Sequence, residues 1–163
     1  MLIAMLGVSV AARAETLDRV LAVVGGQLIT LSDVTAARDL ELQNAGTAAD
    51  PIRAILSKLI DRELVLAEVD RYAPPEPAPP VIERELAAVR DRFPSQAAFE
   101  AALARSGIDE KHVRETLRQD LRIRAYQEQR FSPADPRRQA LIDEWVAGLR
   151  RRGDVIDLYL PGR

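Results

Sequence analysis

The period of the apolar positions changes along the chain, and the changes divide it into elements. Val20-Leu21-Ala22-Val23-Val24 is a β-branched run, Gly25-Gly26 follows, and Leu28-Ile29-Thr30 is a second short apolar run. Paired glycines accept the positive φ of tight turns, so Leu17 to Thr30 predicts a β-hairpin. A lone hairpin is marginal in water, so another part of the chain must complete it. A first helix is expected over Ser32–Asn44, with Ser32 as its cap, Asp33 at its positive end and Gly46 as its stop. Asp50-Pro51 opens a second helix, an acceptor followed by proline at the first helical position. Ile52, Ile55, Leu56, Leu59, Ile60, Leu64, Leu66 and Val69 follow, a distribution wider than one stripe. Burying six or more such side chains contributes on the order of 10 kcal/mol before entropy is subtracted, which makes this helix the expected central strut.

Ala73–Pro80 holds five prolines and cannot continue a helix. A spacer is the expected role, and a polyproline ligand is the alternative. Ile82, Leu86, Val89 and Phe93 put one apolar face on a third helix over Val81–Phe93, which Pro94 stops. Ser95 caps a fourth, carrying Phe99, Ala102 and Leu103, with Gly107 at its end. Asp109 caps a fifth that runs to Arg130, with Val113, Leu117, Leu121 and Ala125 as its inner face. After Ser132-Pro133-Ala134-Asp135-Pro136, a sixth helix is expected from Pro136 to Arg152, with Leu141, Ile142, Trp145, Val146 and Leu149 apolar and Gly153 at its close. Val155–Leu160 then alternates, with Ile156, Leu158 and Leu160 on one side, and reads as a strand. We expect it to pair with the opening hairpin. The fold class is therefore mostly α (α+β): six helices and a small antiparallel sheet made by the two ends of the chain.

The chain has 163 residues, 29% of them charged, and a net charge of −2. That is enough for one domain with a core. The mildly acidic balance gives no drive toward nucleic-acid phosphates, and no segment after residue 14 approaches the roughly 20 apolar residues that span a bilayer. With no cysteine there is neither a disulfide framework nor a thiolate site. Residues 1–14 stand apart. Met1–Val10 is apolar, and Ala12-Arg13-Ala14 forms an A-x-A pattern like the end of a secretory signal peptide. Export is expected, with cleavage at Ala12/Ala14 and residues 15–163 as a single domain. Within it, 15–131 is the N-terminal part and 136–163 the C-terminal helix and strand.

No catalytic constellation stands out. His112, the one histidine, sits in the first turn of the fifth helix, where a capping or surface role is expected. There is no phosphate-cradling glycine motif, and no cluster has metal-ligand spacing. Catalytic residues, metals and cofactors are all expected to be none, which favours binding over catalysis.

The ordered pieces resemble the SurA-type periplasmic chaperone domain. Leu17-Asp18-Arg19-Val20-Leu21-Ala22-Val23-Val24, the glycine turn, Leu28-Ile29-Thr30 and Ser32-Asp33-Val34 look like its start. Leu59-Ile60-Asp61-Arg62-Glu63-Leu64-Val65-Leu66 resembles its central helix. Phe99-x-x-x-Leu103-x-x-x-Gly107-Ile108 and the charged helix from Lys111 through Arg124 resemble its later part. Glu144-Trp145-Val146-Ala147-Gly148-Leu149-Arg150, leading into Val155–Leu160, resembles its end. The family's parvulin-type isomerase domains would lie where Ser132–Asp135 stands, too short a connection to hold one. The resemblance thus implies the chaperone fold without isomerase activity. It implies ATP-independent binding of unfolded outer-membrane β-barrel precursors in the periplasm, through an apolar groove. Tyr126 and Phe131 are the candidate client contacts, with a core role as the alternative. A parvulin-related isomerase and a dedicated envelope-assembly module are the competing readings, and self-association stays open.

Overall fold

The computed structural model describes residues 18–161. Within them the chain forms, in order, β1 (Val20–Val24), β2 (Gln27–Thr30), α1 (Leu31–Asp39), α2 (Pro51–Tyr72), α3 (Pro79–Arg90), α4 (Gln96–Ser106), α5 (Glu110–Arg130), α6 (Arg138–Arg152) and β3 (Val155–Asp157). This is the mostly helical α+β class expected from the pattern. The A-x-A site at Ala12/Ala14 and the whole of residues 1–14 lie outside the described residues.

Gly25 and Gly26 both take positive φ, 55° and 86°, so a two-residue turn joins β1 to β2 with Val24 opposite Gln27. The terminal strand completes the hairpin. The sheet order is β2-β1-β3, with Ala22, Val23 and Val24 opposite Asp157, Ile156 and Val155. β3 is shorter than the alternation predicts, because regular pairing ends at Asp157. The chain runs on beside β1, where the Leu158 amide donates to the Leu21 carbonyl at 2.9 Å. Ile156, Leu158 and Leu160 do share a side, and it is the outer one. Val155 and Tyr159 pack against the core instead.

Helix boundaries show where local chemistry differs from the expectation. α1 begins one residue before Ser32. Thr30 is its cap, accepting from the Asp33 amide, while the Asp33 side chain accepts from the Thr30 amide. This reciprocal box satisfies two orphan donors that Ser32 alone would leave. α1 also ends well before Gly46. Leu40 is fully buried, and Glu41 turns the chain at φ 54°. Gln43 N–H donates back to the Ala37 carbonyl at 2.9 Å. α3 starts at Pro79, since proline suits a first turn. It stops at Arg90, and turns then lead to Phe93. α6 starts at Arg138 rather than Pro136, because the Asp135 carboxylate holds a turn by accepting from the Arg137 amide at 2.8 Å.

Two apolar cores result. The first joins the sheet, α1, α2 and the ends of α5 and α6 through Leu21, Val24, Ile55, Leu56, Val69 and Tyr126. The second joins α1, α3, α4 and the first half of α5 through Leu40, Leu86, Val89, Phe99 and Val113. α5 serves both, so its buried face drifts around the helix. Val113 and Leu117 are buried as expected, but beyond them Arg122 and Tyr126 are buried while Ala125 is exposed.

Candidate functional site

α5 and α6 both rest on α2 and leave a trough between them. Each helix lines it with residues at i, i+3, i+4 and i+7, the positions that share one helical face. α2 supplies Lys58, Asp61, Arg62 and Val65; α5 supplies Asp120, Ile123, Arg124 and Gln127; α6 supplies Asp143, Val146, Ala147 and Arg150. Gln43 joins the lining, and the cavity measures about 600 Å³. Val65, Ile123, Val146 and Ala147 are its apolar part.

The charged residues of the trough are mostly tied down. Arg62 donates to Asp120 at 2.7 Å, Glu63 at 2.7 Å, Gln119 at 2.9 Å and the Thr116 carbonyl at 3.2 Å. Arg150 donates to Asp61 at 2.8 Å and to the Ser57 carbonyl at 2.8 Å. Lys58 reaches the Asn44 carbonyl at 2.6 Å. These contacts orient the long side chains along the walls, and between them Ile123 and Val146 are partly exposed and Ala147 is exposed, while Val65 is buried. Burial pushes the Glu63 carboxyl up from its ordinary value, against the opposing pull of Arg62. A half-buried acid beside one arginine, with Asp33 and Asp120 also near, carries more desolvation than that arginine offsets.

A ladder of aromatic contacts links α2, α5 and α6, and none of its rings is among the residues lining the trough. Tyr72 and Tyr126 have ring centroids 5.4 Å apart, Tyr126 and Trp145 5.9 Å, and Trp145 and Phe131 5.5 Å. Arg130 covers Phe131 and Trp145 at 5.6 and 5.5 Å. The structure therefore joins Tyr126 and Phe131 through Trp145, but neither lines the trough. Tyr126 is only 5% exposed and belongs to the first core. Phe131 is half-buried where α5 ends. Sequence reasoning missed Ile123, Val146 and Ala147 as a group. Ile123 is a single apolar residue among charges on a face that reads as solvated, and Val146 and Ala147 fall in an apolar run that reads as core-facing. What marks them is the matched spacing on three helices, which is visible only once the helices are placed together.

His112 lies away from the trough, its Nε2 4.0 Å from Asp33. It lines a smaller cavity of about 230 Å³ between the two cores, with Asp33, Glu63 and Asp120. Among the described residues no group of three or more His, Cys, Asp or Glu is arranged to hold a metal ion, and no helix is long and apolar enough to cross a membrane. The chain matches no known protein-family model and no curated protein.

Proposed function

We propose that the protein is an ATP-independent periplasmic chaperone that holds unfolded outer-membrane β-barrel precursors, acting by binding rather than catalysis. The observation that carries this reading is the trough between α5 and α6: an apolar strip walled by charges that are mostly already hydrogen-bonded or ion-paired. Such a surface contacts apolar side chains without demanding a particular polar partner, so it tolerates many sequences. The resemblance of the chain's ordered motifs to the SurA-type domain supports the same client class. Release without an energy source requires modest affinity, around micromolar or roughly 8 kcal/mol.

The test is light scattering from an unfolded porin-type barrel diluted out of denaturant. Several-fold excess of the protein should suppress the rise; unchanged scattering would reject the reading. The paired walls also favour a second reading, a module for one folded envelope partner, since a fixed charge pattern gives register. Capture of a single stoichiometric partner, with no suppression of barrel aggregation, would select it.

A further inference from the structure

The outer face of the sheet carries apolar side chains that the fold does not use. Leu28, Val23 and Ile156 stand in one row across the three strands, since Val23 is opposite both Leu28 and Ile156. Leu158 and Leu160 follow on the same side, just beyond the end of β3. Leu28, Ile156, Leu158 and Leu160 are 50–58% exposed, and only Tyr72 joins them as an exposed large apolar residue among those described.

Among the described residues β3 is an edge strand, with β1 on one side and no strand on the other. The Gly25 amide donates to the Asp154 carbonyl, and the Leu158 amide to the Leu21 carbonyl. Antiparallel ladders alternate, so 154, 156 and 158 turn their main chain toward β1, and Val155 and Asp157 turn theirs to the outer edge, while the next amide on that edge, Tyr159 N–H, donates to the Asp157 carboxylate at 3.1 Å. Native edges are blunted by short length, by charged side chains and by lysines or prolines, and β3 has the first two: it is three residues long, and its Asp157 is held by Arg53. Here the outward residues are Ile156, Leu158 and Leu160, and proline comes only afterwards, at Pro161.

The geometry points to the β3 edge as a docking site for one extended client strand, which adds to the sheet antiparallel or parallel to β3. Its alternate apolar side chains lie on the Ile156–Leu158–Leu160 row. The area argues for this occupant over a second copy of the chain. Four half-exposed aliphatic side chains make a patch of a few hundred Å², the size of a functional patch on a monomer. Two such patches fall short of the ~1,200 Å² that a stable dimer buries. The partner's chemistry fits as well. Main-chain bonds are indifferent to sequence while the apolar row reads period two, and period-two alternation is what a transmembrane barrel strand carries. The identity of the client rests on the chaperone reading; the edge itself does not.

The test uses the full chain and a fluorescent ten-residue peptide of alternating valine and threonine, followed by anisotropy. Ile156→Lys with Leu158→Lys should weaken binding about ten-fold or more, with the melting temperature checked in parallel. The same peptide N-methylated on alternate residues, which cannot pair along that edge, should weaken equally against the untouched protein. Equal binding by the methylated peptide, or by a folded double variant, overturns the proposal. So does a dimer that competes with the peptide and disappears in the double variant, which would assign the edge to a second copy. Barrel scattering separates the two readings. If the double variant suppresses aggregation as well as the parent and binds peptide equally, the edge fails and the chaperone reading stands. If the parent does not suppress it but binds peptide through Ile156 and Leu158, the chaperone reading fails and the edge stands.

Discussion

Thr30 closes β2 and caps α1 in the same residue. Its hydroxyl accepts from the Asp33 amide, and the Asp33 carboxylate accepts from the Thr30 amide at 2.8 Å. Thr30→Ala should therefore cost about 1 kcal/mol in urea denaturation, since it leaves an N-terminal amide of α1 without its acceptor. The sequence pattern places the helix start within two residues of this point but names Ser32, because Thr30, Ser32 and Asp33 are all competent caps. What decides is where β2 ends, which depends on pairing with β1. Glu63 shows a different kind of blindness. In sequence it is one more charge on α2; in the fold it is half-buried beside Arg62, and burial raises its pKa. A raised carboxyl means that the folded chain holds its proton more tightly than the unfolded chain does. Its contribution to stability is then fully present below the usual glutamate value and is lost as pH rises through the folded pKa. Glu63→Gln should consequently melt higher than the parent at neutral pH, and the gap should close toward about pH 4. Thermal melts across that range check it; an advantage that grows toward acid would reverse the assigned cause.

At the scale of elements, most of the helices are legible because each has a chemical start and an apolar period of its own. Asp50, Ser95 and Asp109 cap α2, α4 and α5 as their positions predict, and Gly107 ends α4 at φ 68°. Gly153 also falls at a helix end, but for another reason. Its φ is −75°, so left-handed geometry is not required. A methyl group there would meet Leu64 Cδ2 at 2.3 Å and the Leu149 carbonyl at 3.0 Å. The glycine lets the end of α6 lie against α2. Gly153→Ala should destabilise by about 1–3 kcal/mol through overpacking, measured by chemical denaturation. The trough was not legible at all, since it exists only between elements: nothing in the α5 or α6 pattern says how the two helices sit on α2. Ala147 lines it from an exposed position. Ala147→Glu should leave the melting temperature within a degree or two, because surface changes stay near 0.5 kcal/mol. It should nevertheless raise the protein needed to keep an unfolded barrel soluble by several-fold, as a charge placed in the apolar strip must be desolvated.

Among the described residues the first and last strands close on each other, and this was readable because the strand-like runs stand at 17–30 and 155–160 with helical periods between them. The division into two cores was not readable, because it depends on α5 turning different faces to α1, α3 and α2 along its length. That division decides how far the loss of the closing strand spreads. Val155 and Tyr159 pack on the first core. Tyr159 donates its hydroxyl to Asp50, the cap of α2, at 2.9 Å, and Arg53 holds Asp157 at 2.5 Å. Burial by desolvation and the Asp50 carboxylate both raise the Tyr159 hydroxyl pKa, as expected of a hydroxyl committed to donating. Removing Val155–Leu160 thus uncovers β1, which carries the fully buried Leu21 and Ala22, and loosens the first turn of α2. The second core keeps its own contacts among α3, α4 and the first half of α5. It still shares α1 and α5 with the first, so it has no independent way to hold those two helices in place. Truncation after Asp154 should therefore lower the stability of the whole chain by about 3 kcal/mol or more, which at this length lowers the melting temperature by on the order of 10 °C. Hydrogen exchange gives the finer reading. Protection should fall in β1 and α2 first, and α3 and α4 should follow with α5 rather than persist as a separate unit. An unchanged melt would show that the hairpin stands without β3. Protection that survives in α3 and α4 after α2 has opened would show that the two cores fold apart.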